Sequence, residues 1–180
     1  MAEFKLVTAD GQTLTTAEGF TGTAKSVTYP NGDTYAGDFE EGQRCGDKGT
    51  YTYAAAAEGA EVEKYEGAWS GNQKHGIDKQ NYAGLGQYYG HWENGEKHGE
   101  GVMIYTNKDI YSGQWKDGKK HGQGTYIFEE TKEKFVGQFR AGNIVQGRWY
   151  YPNGTYFEGN FDNNMPKGTG KWHFHNGNTV

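Results

Sequence analysis

The chain has 180 residues, a net charge of −5 and an isoelectric point near 5.7, a balance that argues against general binding to nucleic acid or anionic membrane, since both need a clustered basic surface. Glycine supplies 30 residues and aromatic residues 16%, while leucine occurs only at Leu6, Leu14 and Leu85, so rings and glycines replace an ordinary aliphatic core. No stretch has helical apolar spacing or the ~20 apolar residues of a membrane-crossing helix, which excludes helix bundles and helical membrane proteins.

Residues 1–18 carry the pattern Phe4-Lys-Leu6, Asp10-Gly11, Leu14, expected to be a hairpin covering the first edge of a sheet. From residue 19 onward one phrase recurs. It appears as Tyr35-x-Gly37-x-Phe39, Tyr65-x-Gly67-x-Trp69, Tyr88-x-Gly90-x-Trp92, Tyr111-x-Gly113-x-Trp115, Phe135-x-Gly137-x-Phe139 and Phe157-x-Gly159-x-Phe161. The last four start 22 to 24 residues apart, whereas the first two are 30 apart, which places an insertion at about 54–64. Its Ala54-Ala-Ala-Ala-Glu58-Gly59 run is too short for a stable helix and reads as a surface loop. A fixed period of this size marks one supersecondary unit stacked on its neighbours, with function carried by a surface.

The best-formed unit begins at Tyr111. Alternate residues of a strand share a face, so Tyr111, Gly113 and Trp115 point one way and Ser112 and Gln114 the other. Asp117-Gly118 is a tight hairpin turn, and Gly122, Gly124, Tyr126 and Phe128 alternate on the return strand. Gly113 and either Gly122 or Gly124 are expected to lie under rings, which offsets the poor strand propensity of glycine. Pro30-Asn31-Gly32-Asp33, Pro152-Asn153-Gly154 and Asn176-Gly177 supply turns between hairpins, and Asn153-Gly154-Thr155 is read as a turn despite its glycosylation pattern. The predicted fold is all-β: an elongated, single-layer antiparallel meander of six to seven hairpins over residues 19–180. Val180 stands where the next aromatic residue would begin, leaving that edge open to another strand.

Catalytic chemistry is not legible. His75, His98 and His121 recur in register, but equivalent positions two strands apart are about 10 Å from one another, too far to share a zinc ion at ~2.0–2.1 Å. His173-x-His175 has no acidic or cysteine partner nearby. Gly168-Thr-Gly170-Lys171 lacks the spacing of a phosphate-binding loop, and Glu40-Glu41 and Glu129-Glu130 read as solvated turns. The lone Cys45 fits a reducing compartment. No catalytic, metal or cofactor residues are expected. Lys97, Lys116, Lys119 and Lys120 form a local basic group in the turns and read as solvated. A single-layer sheet leaves its ring-lined face partly uncovered, and exposed apolar strips with aromatic anchors mark interfaces; Tyr88, Trp92, Tyr111, Trp115, Phe135 and Phe139 are the candidate partner-binding residues.

The phrase Tyr-x-Gly-x-Trp-x-x-Gly-x-x-His-Gly-x-Gly resembles the MORN repeat, and the units at Tyr88 and Tyr111 match it completely. Asn72 and Asn164 depart at the turn glycine, Val145 and Lys167 at the histidine, and Gly147 falls one place late; these departures put local turn geometry in question. Within that family, Lys97-His98-Gly99-Glu100-Gly101-Val102, Lys120-His121-Gly122-Gln123-Gly124-Thr125-Tyr126 and Asn163-Asn164-Met165-Pro166-Lys167-Gly168-Thr169-Gly170-Lys171 are most similar to the radial spoke head MORN proteins of motile cilia and flagella. The resemblance implies a non-catalytic scaffold of the axoneme, in the cytoplasm of a cilium or flagellum. Its implied partners are other spoke-head proteins directly and the central-pair apparatus indirectly. The alternative implied by the family is a phosphoinositide-binding or membrane-junction module, which the acidic balance disfavours.

Overall fold

The computed structural model describes residues 3–180. Among the described residues fifteen strands form an antiparallel meander sheet in which each strand from the third on neighbours the next in sequence, and the N-terminal hairpin joins the third strand through its first strand. No helix occurs among the described residues. Contacts group the chain into two units, Met1–Glu96 and Lys97–Val180. The first holds β1 (Lys5–Thr8), β2 (Thr13–Leu14), β3 (Gly22–Thr28), β4 (Thr34–Glu40), β5 (Gln43–Thr52), β6 (Lys64–Ser70), β7 (Gln73–Tyr82) and β8 (Gly86–Glu93). The second holds β9 (Glu96–Tyr105, its first residue aside), β10 (Ile110–Lys116), β11 (Lys119–Ile127), β12 (Lys134–Arg140), β13 (Asn143–Tyr150), β14 (Tyr156–Asp162) and β15 (Met165–His173). The β1–β2 hairpin pairs with β3 and places Leu6, fully buried, against Val27.

Six hairpin turns share one geometry. Both central residues have positive φ: 47° and 81° at Glu41-Gly42, 54° and 69° at Gly71-Asn72, 51° and 82° at Asn94-Gly95, 50° and 72° at Asp117-Gly118, 48° and 93° at Ala141-Gly142, 49° and 60° at Asn163-Asn164. Such turns match the right-handed twist of the flanking strands and favour Asn, Asp and Gly. The asparagines that replace glycine at Asn72 and Asn164 therefore keep the turn. They also add a link that glycine lacks, since Asn72 Oδ1 accepts the Arg44 N–H at 2.9 Å and Asn164 Oδ1 accepts the Ile144 N–H at 3.0 Å.

The connections between hairpins repeat as well. In four of them an asparagine Oδ1 accepts the N–H two residues on: Asn31 from Asp33, Asn107 from Asp109, Asn153 from Thr155, Asn176 from Asn178, all at 3.0–3.1 Å. This side-chain turn includes Asn107-Lys108-Asp109, which sequence reading passed over because Lys108 (φ 69°) stands where glycine was sought. The 54–59 run is an irregular exposed loop.

Register explains the glycines. In the second unit Gly101, Gly113, Gly124, Gly137, Gly147, Gly159 and Gly170 lie side by side in one row across seven strands. The adjoining row on the same face is Met103, Tyr111, Tyr126, Phe135, Trp149, Phe157 and Trp172. Each Tyr111-type ring folds over the glycine row: a Cβ on Gly124 would stand 2.6–2.8 Å from the Tyr111 ring, and one on Gly113 would stand 2.5 Å from the Gly124 Cα. Gly122 is not under a ring. It sits at φ +57° in a bulge where Gln114 faces residues 121–123, and a left-handed residue is what such a bulge requires. On β13 the bulge contracts to Val145 alone. Gly147 is thus the row glycine arriving one residue early, rather than the bulge glycine arriving late.

Candidate functional site

The rings of this face close on one another. In the first unit Phe39, Tyr35, Trp69, Tyr65, Trp92 and Tyr88 form an unbroken edge-to-face series with centroids 5.2–5.5 Å apart and planes at 80–89°. In the second, Trp115, Tyr111, Phe139, Phe135, Phe161 and Phe157 do the same at 4.9–5.7 Å and 77–88°. Each pair contributes about 0.5–1.5 kcal/mol beyond area burial. Phenolic hydroxyls are satisfied locally, Tyr65 donating to Ala68 O, Tyr88 to His91 O and Tyr111 to Gln114 O at 2.8–3.0 Å. Trp92 and Trp115 Nε1 donate to Asp78 O and Gly101 O, each at 3.2 Å. Burial pushes the Tyr65 and Tyr111 hydroxyls well above the usual tyrosine range.

The expectation that these rings stand partly free is corrected by this packing. Tyr88, Trp92, Tyr111, Trp115, Phe135 and Phe139 are each at most 5% exposed. The single layer covers its own rings because they fold over the glycine row and are flanked by the edges of neighbouring rings, with a cation as a roof over Trp92, Tyr111, Trp115 and Phe139. They are core residues.

That roof is the feature sequence reading misjudged. The second residue of the return strand is Arg44, Lys74, Lys97 and Lys120 in successive hairpins, and each cation lies over rings. Arg44 stands 4.3 Å from the Trp69 centroid and 4.9 Å from that of Tyr51, and Lys74 4.9 Å from Trp92 and 5.2 Å from Tyr65. In the second unit Lys97 is 4.6 Å from Trp115 and Lys120 is 4.7 Å from Tyr126. Such contacts are worth about 0.5–2 kcal/mol, rising with desolvation. Lys116 and Lys119 are solvated as expected, but Lys97 and Lys120 are half-buried, their stems laid along aromatic surface, and burial lowers both ammonium pKa values. At the equivalent positions of β13 and β15 the cation gives way to Ile144 and Pro166.

Acidic groups at the hairpin connections are fully engaged. Asp33 accepts from the Tyr51 hydroxyl at 2.6 Å and the Ala54 N–H at 2.8 Å; Asp109 accepts from the Tyr126 hydroxyl at 2.9 Å and the Glu129 N–H at 2.8 Å. Burial alone would raise both carboxyls, but these hydrogen bonds, with Asn31 and Asn107, hold them below the usual range.

One hairpin of the first unit departs from the pattern. Asp78 occupies the glycine row, its carboxylate above Gly67 and accepting the Ala68 N–H at 2.9 Å. Gln80 occupies the tyrosine row, 1% exposed, bonded to Lys74 Nζ and to Glu63 of the inserted loop. Alignment of the units position by position carries the signal: a polar residue where its counterparts have glycine or an aromatic.

His75, His98 and His121 stay at equivalent hairpin positions, and among the described residues no three His, Cys, Asp or Glu side chains gather as metal ligands would. Burial raises the Cys45 thiol pKa. No helix among the described residues is long and apolar enough to cross a membrane.

No curated protein matches the chain. The family model of the MORN repeat matches residues 35–55, 65–77, 88–110, 111–130 and 157–179, together more than half of the sequence. The matched segments pass over residues 131–156, where β13 has the contracted bulge and Ile144 in place of the cation. A ring-over-glycine hairpin repeated at this period, and recognised in five segments, shows that the chain belongs to the MORN-repeat family.

Proposed function

We propose that the protein is a non-catalytic scaffold of the axonemal radial spoke head, holding neighbouring spoke-head proteins and supporting ciliary motility. Family membership supports the coarser reading, a scaffold or a membrane-binding module. The observation that carries the reading is the ring-and-cation face. It joins recessed cation heads to half-buried aromatic surface in each unit; aromatic residues and Arg are enriched at protein interfaces and Lys is depleted there, so the rings and Arg44 carry the argument and the lysines add a local charge. The placement in the spoke head rests on the resemblance carried by residues 97–102, 120–126 and 163–171. Strand addition or self-association along β15 belongs to the same reading, over the part of the strand that does not pair with the chain's own Thr179 and Val180.

The test is capture of spoke-head proteins, identified by mass spectrometry, from axonemal extracts on wild-type protein and on a Lys97→Glu, Lys120→Glu variant whose circular dichroism is unchanged. Capture that is lost in the variant, with abnormal beating in cells lacking the protein, supports the reading. Normal spokes and motility in its absence refute it. Truncating Trp92 and Trp115 is unsuitable here, because burial makes their loss a folding defect of about 3–5 kcal/mol each.

A membrane-associated module is the second reading, and one observation favours it: the cations share one face of each unit despite the net charge of −5. Sedimentation with phosphoinositide-containing vesicles separates the two.

A further inference from the structure

The row of cations ends at Lys120, and where it ends the face opens. Between β11 and β13 lies a cavity of about 230 Å³ bordered by Lys120, Phe128, Phe139, Ile144, Trp149 and Asn164. Its origin is local. Ile144 lacks the length to roof the neighbouring ring as Lys120 does, and the contracted bulge at Val145 shortens the return strand. Trp149 is held in place by stacking on Phe128 at 5.0 Å and 22° and by its Nε1 donating to Glu133 Oε2 at 3.0 Å. Ile144 is buried on the floor. Asn164 spends its Oδ1 on the Ile144 N–H and lines the cavity.

We infer that this cavity is a subsite for a linear peptide segment of a partner, taking one aromatic or branched aliphatic side chain, with an acidic residue within two positions of it meeting Lys120. The inference rests on the scaffold reading above and gives its partner a chemistry. Size selects a side chain, since an apolar cavity of about 150 Å³ accepts a benzene ring, whereas small-molecule sites occupy about 300–1,000 Å³. Charge selects a carboxylate: the single ammonium of Lys120 makes a charge-assisted bond to one acidic side chain, and among the described residues no second cation borders the cavity to meet a phosphorylated lipid headgroup. The half-buried position of Lys120 over Tyr126 places its charge inside the face, where a side chain reaches and a planar bilayer surface does not.

The probe is the peptide Gly-Ser-Glu-Phe-Glu-Ser-Gly, titrated into the isotopically labelled full chain while the Trp149 indole N–H is followed by NMR. A saturable shift is expected, at least tenfold weaker when Phe is replaced by Ser or both Glu by Lys. Ile144→Lys, which installs the residue type of the preceding hairpins and so preserves the fold, should fill the cavity and weaken binding at least tenfold. Lys120→Glu should weaken the acidic peptide and strengthen its lysine counterpart. No saturable shift, equal binding of the Phe and Ser peptides, or indifference to Ile144→Lys overturns the inference. So does Lys120-dependent sedimentation with phosphoinositide vesicles in the absence of peptide binding. If the peptide fails while wild-type protein still captures spoke-head proteins, only this subsite falls. If the peptide binds and capture fails, the spoke-head placement falls instead.

Discussion

Adding one methyl group at Gly113 should damage the fold more than any improvement in strand propensity can repair. A Cβ there would stand 2.5 Å from the Gly124 Cα, 2.6 Å from Gln123 O and 2.9 Å from the Tyr111 hydroxyl. Two of these neighbours are backbone, so no side-chain rotation relieves the contact and β10 and β11 must separate. Overpacking typically costs about 1–3 kcal/mol, and backbone clash puts Gly113→Val near the upper figure. In a chain of this size each kcal/mol shifts the melting temperature by about 2–4 °C, which gives a fall of about 6–12 °C. Because the Cβ itself makes the clash, Gly113→Ala should lose nearly as much as Gly113→Val. The control is Ser112→Val, an exposed position on the opposite face in the row with Val102 and Thr125, where the change should stay within about 0.5 kcal/mol. Gln114 is a poorer control than its outward position suggests, since its Oε1 accepts the Gln123 N–H at 3.0 Å. Thermal melts by circular dichroism read the result. If Gly113→Ala melts with Ser112→Val, the ring-over-glycine account of the fold is wrong.

Alkaline pH should unfold the protein as its rings ionise: burial raises Tyr35, Tyr65 and Tyr111, so their contribution is complete below the unfolded value of about 10 and is lost as pH climbs beyond it. Tyrosinate absorbance from these rings should then rise together with loss of the β dichroism; ionisation ahead of unfolding would contradict their burial. Asp109→Ala leaves the Tyr126 hydroxyl and Glu129 N–H without their acceptor, and at about 1–3 kcal/mol for each orphaned group should cost at least 2 kcal/mol by urea titration. The lowered carboxyls of Asp33 and Asp109 contribute stability above about pH 4, the unfolded value, and lose it as pH falls through their folded values, so Asp109→Ala should also flatten the acid limb of the stability curve. Ala141, at φ 48°, carries a side chain that disfavours the left-handed region by about 1 kcal/mol; Ala141→Asn should raise the melting temperature by a few degrees, and a fall would mean that the turn geometry is misassigned.

The hairpins were legible in the chain alone because their causes are local. Two-residue alternation at Tyr111-x-Gly113-x-Trp115, the Asp117-Gly118 turn and the recurring period each act over a few residues, and together they suffice for an all-β meander with its insertion after β5. The turns at Asn31, Asn153 and Asn176 are legible because glycine follows each asparagine, whereas Asn107 is followed by Lys108 and lacks that mark. Tertiary structure decided what depends on register. That Gly113 and Gly124 are neighbours, that Trp115 meets Lys120 across the hairpin, and that Lys97 and Lys120 leave solvent for ring faces follow from which residues pair across strands, and no single strand encodes its pairing. Ring burial is of the same kind: an aromatic strip is exposed or closed according to whether neighbouring hairpins supply an edge and a cation. The cavity beside Trp149 lies furthest from sequence, since it exists only where a contracted bulge and the change from Lys120 to Ile144 fall next to each other in space.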